Sequence, residues 1–182
     1  MDGRSENTSL ATAKTVREED PLQSAETGAW SVLHLALWEP EIPPNTGNIA
    51  RLCAATGATL HLIGRLGFRL DNRSLRRAGL DYWSSVEVRR HATMPDFEAA
   101  MSGGRLFCYS SHSSRPYTLA SYQPGDCLLF GGESHGLPQE FLQRHANDTY
   151  GIPMPGGRVR SLNLATAAAI VLYEALRQLH HW

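Results

Sequence analysis

The chain has 182 residues, 17 basic and 18 acidic side chains and a formal net charge of −1, which sizes it for one domain with a real core. Its hydrophobic content of 42% is ordinary for a globular protein, and no apolar run reaches the roughly 18 residues of a membrane span. The N-terminus lacks the apolar core of a signal peptide, so a cytoplasmic protein with no membrane partner is expected.

Residues 1–30 set Arg4, Lys14 and Arg17 against six acidic side chains and show no apolar periodicity. They read as a disordered polar extension, with the folded domain expected over residues 31–182. Ser31 to Trp38, SVLHLALW, is a continuous apolar run of strand length, as in a parallel sheet covered on both faces. His34 inside it reads as a satisfied core histidine. The Glu39 to Pro44 stretch, EPEIPP, then stops the strand. Asn45 is expected to cap a helix that runs to about Thr56, with Gly57 as its stop. Ile49, Leu52, Cys53 and Thr56 recur at helical spacing and should face the core, while Asn45, Asn48 and Arg51 share another face. Ala58 to Ile63 is a second strand, which completes a βαβ unit.

Gly64 to Gly79 is expected to be a loop with a short basic helix around Asn72 to Arg77. Ser85 to Val88 reads as a third strand and Pro95 to Met101 as a helix. Arg105 to Tyr109 and Cys127 to Phe130 are further strands. Pro138 is placed at the first position of a helix over PQEFLQRH. Asp148 to Ile152 is a last short strand. Asn163 to about His180 is a long terminal helix whose apolar face holds Leu164, Ala168, Val171, Leu172, Ala175 and Leu179. Alternating strands and helices imply an α/β fold around a mostly parallel sheet, with ligands beyond the C-terminal strand ends. The polar loops after Trp38, Phe130 and Ile152 meet that condition.

Several chemistries are excluded by missing motifs. No G-x-x-x-x-G-K-[ST] is present, and no G-x-G-x-x-G follows the first strand. The histidines are scattered and Cys53, Cys108 and Cys127 sit singly in apolar runs, so no metal site is expected and the thiols read as buried and free. What remains is a set of glycine-rich polar loops with one candidate cation, Arg51, and one candidate acid, Glu133. A site of that kind binds through backbone groups and needs a ligand that brings its own reactivity. The basic residues concentrate in the window from Arg65 to Arg90, a local positive surface suited to phosphates.

Four stretches together carry a resemblance: EPEIPPNTGNIARLCAATG, LRRAGLDYW, LLFGGESHGLP and IPMPGGRVRSLNL followed by VLYEALRQL. They resemble the SPOUT superfamily of knotted, S-adenosylmethionine-dependent RNA methyltransferases. More closely, the chain is similar to the bacterial tRNA (cytidine/uridine-34-2′-O)-methyltransferase family, from about Val32 to the end. The resemblance implies a C-terminal deep trefoil knot, a homodimer built on the first and last helices, and tRNA as substrate. It places the cofactor against Tyr109, Gly131, Gly136, Ile152, Ser161 and Leu162. Arg51 would stabilise the developing 2′-alkoxide, because a guanidinium holds its proton and cannot serve as a base. Asn45, Glu133, Ser161 and Asn163 would orient it and the substrate. Arg69, Arg73, Arg76, Arg77, Arg158 and Arg160 would contact RNA. The chain departs from the family pattern at Ala165-Thr166 and in the length of the Pro155 to Arg158 loop. The alternatives are a 2′-O-methyltransferase of another tRNA or rRNA ribose, and an inactive RNA- or cofactor-binding module.

Overall fold

Apolar residues alternate between the two faces of the strands, and the layers follow from that alternation. The computed structural model describes residues 33–68 and 83–181. The described strands are β1 (His34–Trp38), β2 (Thr59–Ile63), β3 (Val88–His91), β4 (Leu106–Tyr109), β5 (Cys127–Gly131) and β6 (Thr149–Tyr150). The helices are α1 (Pro43–Thr56), α2 (Met94–Ala100), α3 (Gln139–Arg144) and α4 (Leu164–His180). The sheet runs β3-β2-β1-β5-β4-β6, and every pairing is parallel. The expected α/β fold with a mostly parallel sheet is therefore present.

Successive strand side chains point to opposite faces. Leu35 and Leu37 of β1, with Leu128 and Phe130 of β5, pack into one core with Ile49, Ala50 and Cys53 of α1 and Ala168, Val171, Leu172 and Leu176 of α4. Ala36, Cys127 and Leu129 face the other way, against Met94 and Phe97 of α2 and Phe141 of α3. Each fully buried leucine contributes about 1.5–3 kcal/mol relative to exposure, so both helical layers are held by the same strands. The α4 face matches the predicted one, with Leu176 added and Leu179 only half-buried.

Several boundaries differ from the sequence reading. Asn45 does not cap α1. The helix starts at Pro43, and its N-cap residue Ile42 offers no side-chain bond. Two prolines fit a first turn whose N–H groups have no helical partner, so the helix begins before Asn45. Gly57 does end it, in the left-handed region at φ 72°. Of the four residues expected on the core face of α1, Ile49 and Cys53 are buried and Leu52 and Thr56 are partly exposed. Pro138 lies just before α3 as its N-cap residue, not at its first helical position. The third strand runs from Val88 rather than Ser85, because Trp83–Ser85 forms a 3-10 turn and β2 pairs instead with Val88–His91. As the edge of the described sheet, β3 tolerates the exposed Arg89 and Arg90. The last strand shortens to Thr149–Tyr150. The expected extension over residues 1–30 and the basic helix around Asn72 to Arg77 lie outside the described residues.

His34 is half-buried and satisfied, as expected, but within a larger arrangement. Its Nδ1 lies 3.0 Å from His61 Nε2, and His61 Nδ1 lies 2.9 Å from His91 Nε2. The three rings cross β1, β2 and β3 on the α2 side, and His61 and His91 both meet the Phe97 ring edge-on. Burial, then the neighbouring His34, His91 and Arg89, lowers the His61 pKa to about 3. Cys53, Cys108 and Cys127 are buried free thiols, and burial raises Cys53 and Cys108 to about 12.

Candidate functional site

β1 and β5 lie side by side, with Trp38 opposite Gly131, so the loops that leave their C-terminal ends meet although about ninety residues separate them. α1 starts in one loop with two prolines that carry no N–H, and Asn45 N and Thr46 N bond Ile42 O. The other loop holds the residues that lead into the helix. Glu133 accepts from Glu41 N at 2.8 Å, from Ile42 N at 3.3 Å and from Asn45 Nδ2 at 2.8 Å. A carboxylate at a helix N-terminus also meets the positive end of the helix dipole.

Asn45 continues the chain of bonds. Its Oδ1 accepts from Asn163 Nδ2 at 2.9 Å. Asn163 is the N-cap of α4, and its Oδ1 accepts from Ala165 N and Thr166 N. Both ends of this chain fix its polarity. An ionised carboxylate only accepts and a backbone N–H only donates, so each amide must turn its nitrogen toward Glu133 and its oxygen toward α4. One line of hydrogen bonds thus ties the N-termini of α1 and α4 to the loop after β5.

Glu41 answers Glu133 from the opposite side. Its carboxylate accepts from Ser134 N at 3.0 Å and from Ser134 Oγ at 2.5 Å. The loop itself is tight. Gly136 N donates to Gly132 O at 2.9 Å, and Gly136 takes φ 67°. A Cβ on Gly131 would stand 2.0 Å from the Gly136 carbonyl carbon, so no other residue fits there. Beside this loop lies a cleft of about 290 Å³ lined by Trp38, Glu39, Arg65, Leu66, Gly132 and His135, among others. Glu39 borders it with φ 47°, a costly conformation for a residue with a side chain.

The predicted site residues divide. The structure brings Asn45, Glu133 and Asn163 into one bonded chain, with Gly131 and Gly136 in the adjoining turn. Arg51 stands exposed on α1, and Ser161 is exposed just before Asn163, with Leu162 half-buried. Ile152 is half-buried against the α1/α4 core. The Tyr109 side chain is buried, stacked on Phe130 at 4.8 Å and bonded through its hydroxyl to Tyr122 at 2.8 Å. That packing leaves its backbone for any ligand contact. Arg158 and Arg160 are exposed in the loop before α4. Arg69, Arg73, Arg76 and Arg77 lie outside the described residues. The sequence reading did not single out Glu41 or Ser134. The available signal was an acidic residue two positions before a proline-started helix and a serine beside Glu133.

The chain matches the SpoU rRNA Methylase family over residues 32–173. It belongs to that family. The matched span includes the α1 turn, the loop after β5 and the entry to α4, which the bonds above join. The chain is 47% identical over 149 residues to the tRNA (cytidine(34)-2′-O)-methyltransferase of Escherichia coli K12, covering 81% of this chain and 94% of that protein. A solved structure reported for the 2-OH methylation of C/U34 on tRNA shares 50% identity with a TM-score of 0.78, covering 83% of this chain and 98% of that one. The SpoU methyltransferase AviRb of Streptomyces viridochromogenes, solved with the cofactor AdoMet, is 28% identical with a TM-score of 0.69 and covers 84% of this chain and 59% of that one. Among the described residues, no helix is long and apolar enough to cross a membrane, and no cluster of three His, Cys, Asp or Glu could hold a metal ion.

Proposed function

We propose that this SpoU family member is an S-adenosylmethionine-dependent methyltransferase acting on the ribose 2′-hydroxyl of the wobble nucleotide, cytidine or uridine 34, of tRNA. The observation that carries the reading is the bonded chain Glu133–Asn45–Asn163, which fixes the three sequence elements of the site against one another. The relatives named above support the substrate.

The residues present fit the cofactor. A Cβ at Gly136, Gly156 or Gly157 would meet no atom within 4 Å, so these loop backbones are open to an approaching ligand. Thr46 Oγ1, in the first turn of α1, is buried without a hydrogen-bond partner among the described residues, and a polar ligand atom or a water would satisfy it. The Gly131–Gly136 loop, Ile152 and the Ser161-Leu162 backbone would hold the cofactor, which supplies a methyl group already activated on a sulfonium.

The protein's task is then to place the hydroxyl in line and stabilise charge as the proton leaves. Arg51 is the cation assigned to that charge, and α1, anchored at its start by Glu133, sets its position. Arg158 and Arg160 are assigned to the RNA backbone, as are Arg69, Arg73, Arg76 and Arg77, which lie outside the described residues. A homodimer and a cytoplasmic location belong to the same reading. Exposed Ile42, at the start of α1, and Tyr173, on α4, support the dimer on the helices that the family resemblance names. The knot is supported by the close path of Gly151, whose N donates to Arg115 O and whose O accepts from Tyr117 N.

The test is transfer of labelled methyl from S-adenosylmethionine into tRNA from cells lacking wobble ribose methylation, with nucleoside mapping. Label at the position-34 ribose is expected. Label at another ribose would overturn the substrate and leave the chemistry.

A further inference from the structure

The loop after β5 is short, glycine-rich and exposed at Ser134, His135 and Gly136. Such a segment costs conformational entropy to hold still, and glycine raises that cost. The β-bridge between Gly132 and Gly136 closes the loop on itself but does not set its position on the rest of the molecule. That position comes from two carboxylates that face opposite ways. Glu133, in the loop, accepts from the backbone of Glu41 and Ile42. Glu41, at the mouth of α1, accepts from the backbone and hydroxyl of Ser134. The reciprocal pair forms a clasp. Backbone contact tightens it further, since a Cβ on Gly132 would lie 2.6 Å from Glu39 O.

The two halves of the clasp are not equivalent. Glu133 holds the entry to α1 and one end of the Asn45–Asn163 amide chain, so its loss disturbs the fold. Glu41 is only half-buried, and among the described residues its carboxylate accepts hydrogen bonds from Ser134, with the His135 ring as a nearby charge. The Ser134 hydroxyl and then the Ser134 N–H hold its carboxyl below the usual range, so the ionised form is the one that grips the loop. The observable consequence of Glu41 is therefore the posture of the Gly131–Gly136 loop.

We propose that Glu41 and Ser134 are positioning residues that hold this loop in the conformation that accepts S-adenosylmethionine. The inference rests on the cofactor assignment above. Neither residue touches the reacting atoms. Their contribution is to the cofactor's affinity rather than to the methyl-transfer step.

Calorimetric binding of S-adenosylmethionine and steady-state methyl transfer are measured for the full chain and for Glu41→Ala, Ser134→Ala, the double variant and Ser134→Thr. Glu41→Ala removes two bonds to a charged acceptor and is expected to raise Kd on the order of tenfold, with kcat at saturating cofactor within about twofold. Ser134→Ala removes only the hydroxyl bond and is expected to raise Kd about threefold. The double variant should be no worse than Glu41→Ala alone, because the hydroxyl then has no partner to lose. Ser134→Thr keeps the hydroxyl and should restore most of the affinity. Unchanged Kd in Glu41→Ala, or fully additive losses in the double variant, overturns the clasp while the cofactor assignment stands. A wild-type chain that binds no S-adenosylmethionine overturns the assignment, and the clasp's role with it.

Discussion

Replacing Asn45 with aspartate tests the polarity of the amide chain with a change of one atom. The structure turns Asn45 Nδ2 toward Glu133 Oε1 at 2.8 Å and leaves only Oδ1 to accept from Asn163. Asn45→Asp preserves the size of the side chain and its acceptor toward Asn163. It replaces the donor toward Glu133 with a second carboxylate oxygen, at a residue only 6% exposed. Two unit charges 4 Å apart at an effective dielectric of 20 repel by about 4 kcal/mol. The lost bond to a charged acceptor adds about 1.5–3 kcal/mol. Side-chain relaxation removes part of this, and a net loss of about 3–5 kcal/mol at pH 8 is expected. For a chain of this size that is a fall of about 10 °C in Tm. Asn45→Ala, which removes the bonds without adding charge, should cost about 2–3 kcal/mol. The deciding feature is pH. At acidic pH, where one carboxyl of the pair takes a proton, Asn45→Asp should recover toward wild type measured at the same pH, and Asn45→Ala should not. Denaturant unfolding at pH 8 and pH 5 reads both. An Asn45→Asp chain as stable as wild type at pH 8 would refute the assigned polarity.

Acid should destabilise the wild type through the histidine line. His61 is held at about 3 in the folded state against an ordinary 6.5, so below 6.5 the unfolded chain takes a proton that the folded chain refuses. Stability is full above pH 6.5 and falls by about 1.4 kcal/mol per unit toward pH 3, or about 2 kcal/mol by pH 5. The lowered values of His34 and His91 act in the same direction, whereas Glu87 and Asp96 oppose them by favouring the charged rings. A stability profile that stays flat from pH 7.5 to pH 5 would contradict the burial of neutral His61. Gly131→Ala should lower the unfolding midpoint by about 3 kcal/mol or more, since its Cβ would overlap the Gly136 backbone, while Gly156→Ala, in open space, should be near neutral. Arg51→Ala should bind S-adenosylmethionine like the wild type and lose about a hundredfold or more in kcat; retained turnover would remove Arg51 from the mechanism. Binding of tRNA should weaken steeply with salt, and Arg158→Ala with Arg160→Ala should reduce the logarithmic slope by about one each. An unchanged slope would take these residues off the RNA surface.

The sheet was legible because its strands are continuous apolar runs of the right length, and each of HLALW, TLHLI and CLLF occupies a strand covered on both faces. Boundaries slipped where a local rule met a tertiary one. Asn45 has the chemistry of a cap, but two prolines could start the helix earlier and a carboxylate from another loop could hold the Glu41 and Ile42 N–H groups that lead into it. Nothing local to Asn45 announces a partner in Glu133, some ninety residues on. The third strand slid by three residues because Val86 and Val88 alternate equally well with polar neighbours, and only pairing with β2 chooses between registers. The site was legible as three polar stretches after strand ends, and the motif resemblance joined them. Their bonding was not, because it depends on which amide end meets which acceptor. Nor was the histidine line, since His34, His61 and His91 are related only by the order of β1, β2 and β3 in the sheet.

The most direct test of the proposed chemistry uses two tRNAs that differ by one oxygen. Both carry cytidine at the wobble position, and one lacks the 2′-hydroxyl of that ribose. The chain is incubated with each and with labelled S-adenosylmethionine, and incorporation is counted and mapped. Label is expected on the ribose of position 34 in the first tRNA and none in the second. Equal label in both would place the methyl group on a base or on another ribose and contradict wobble 2′-O-methylation.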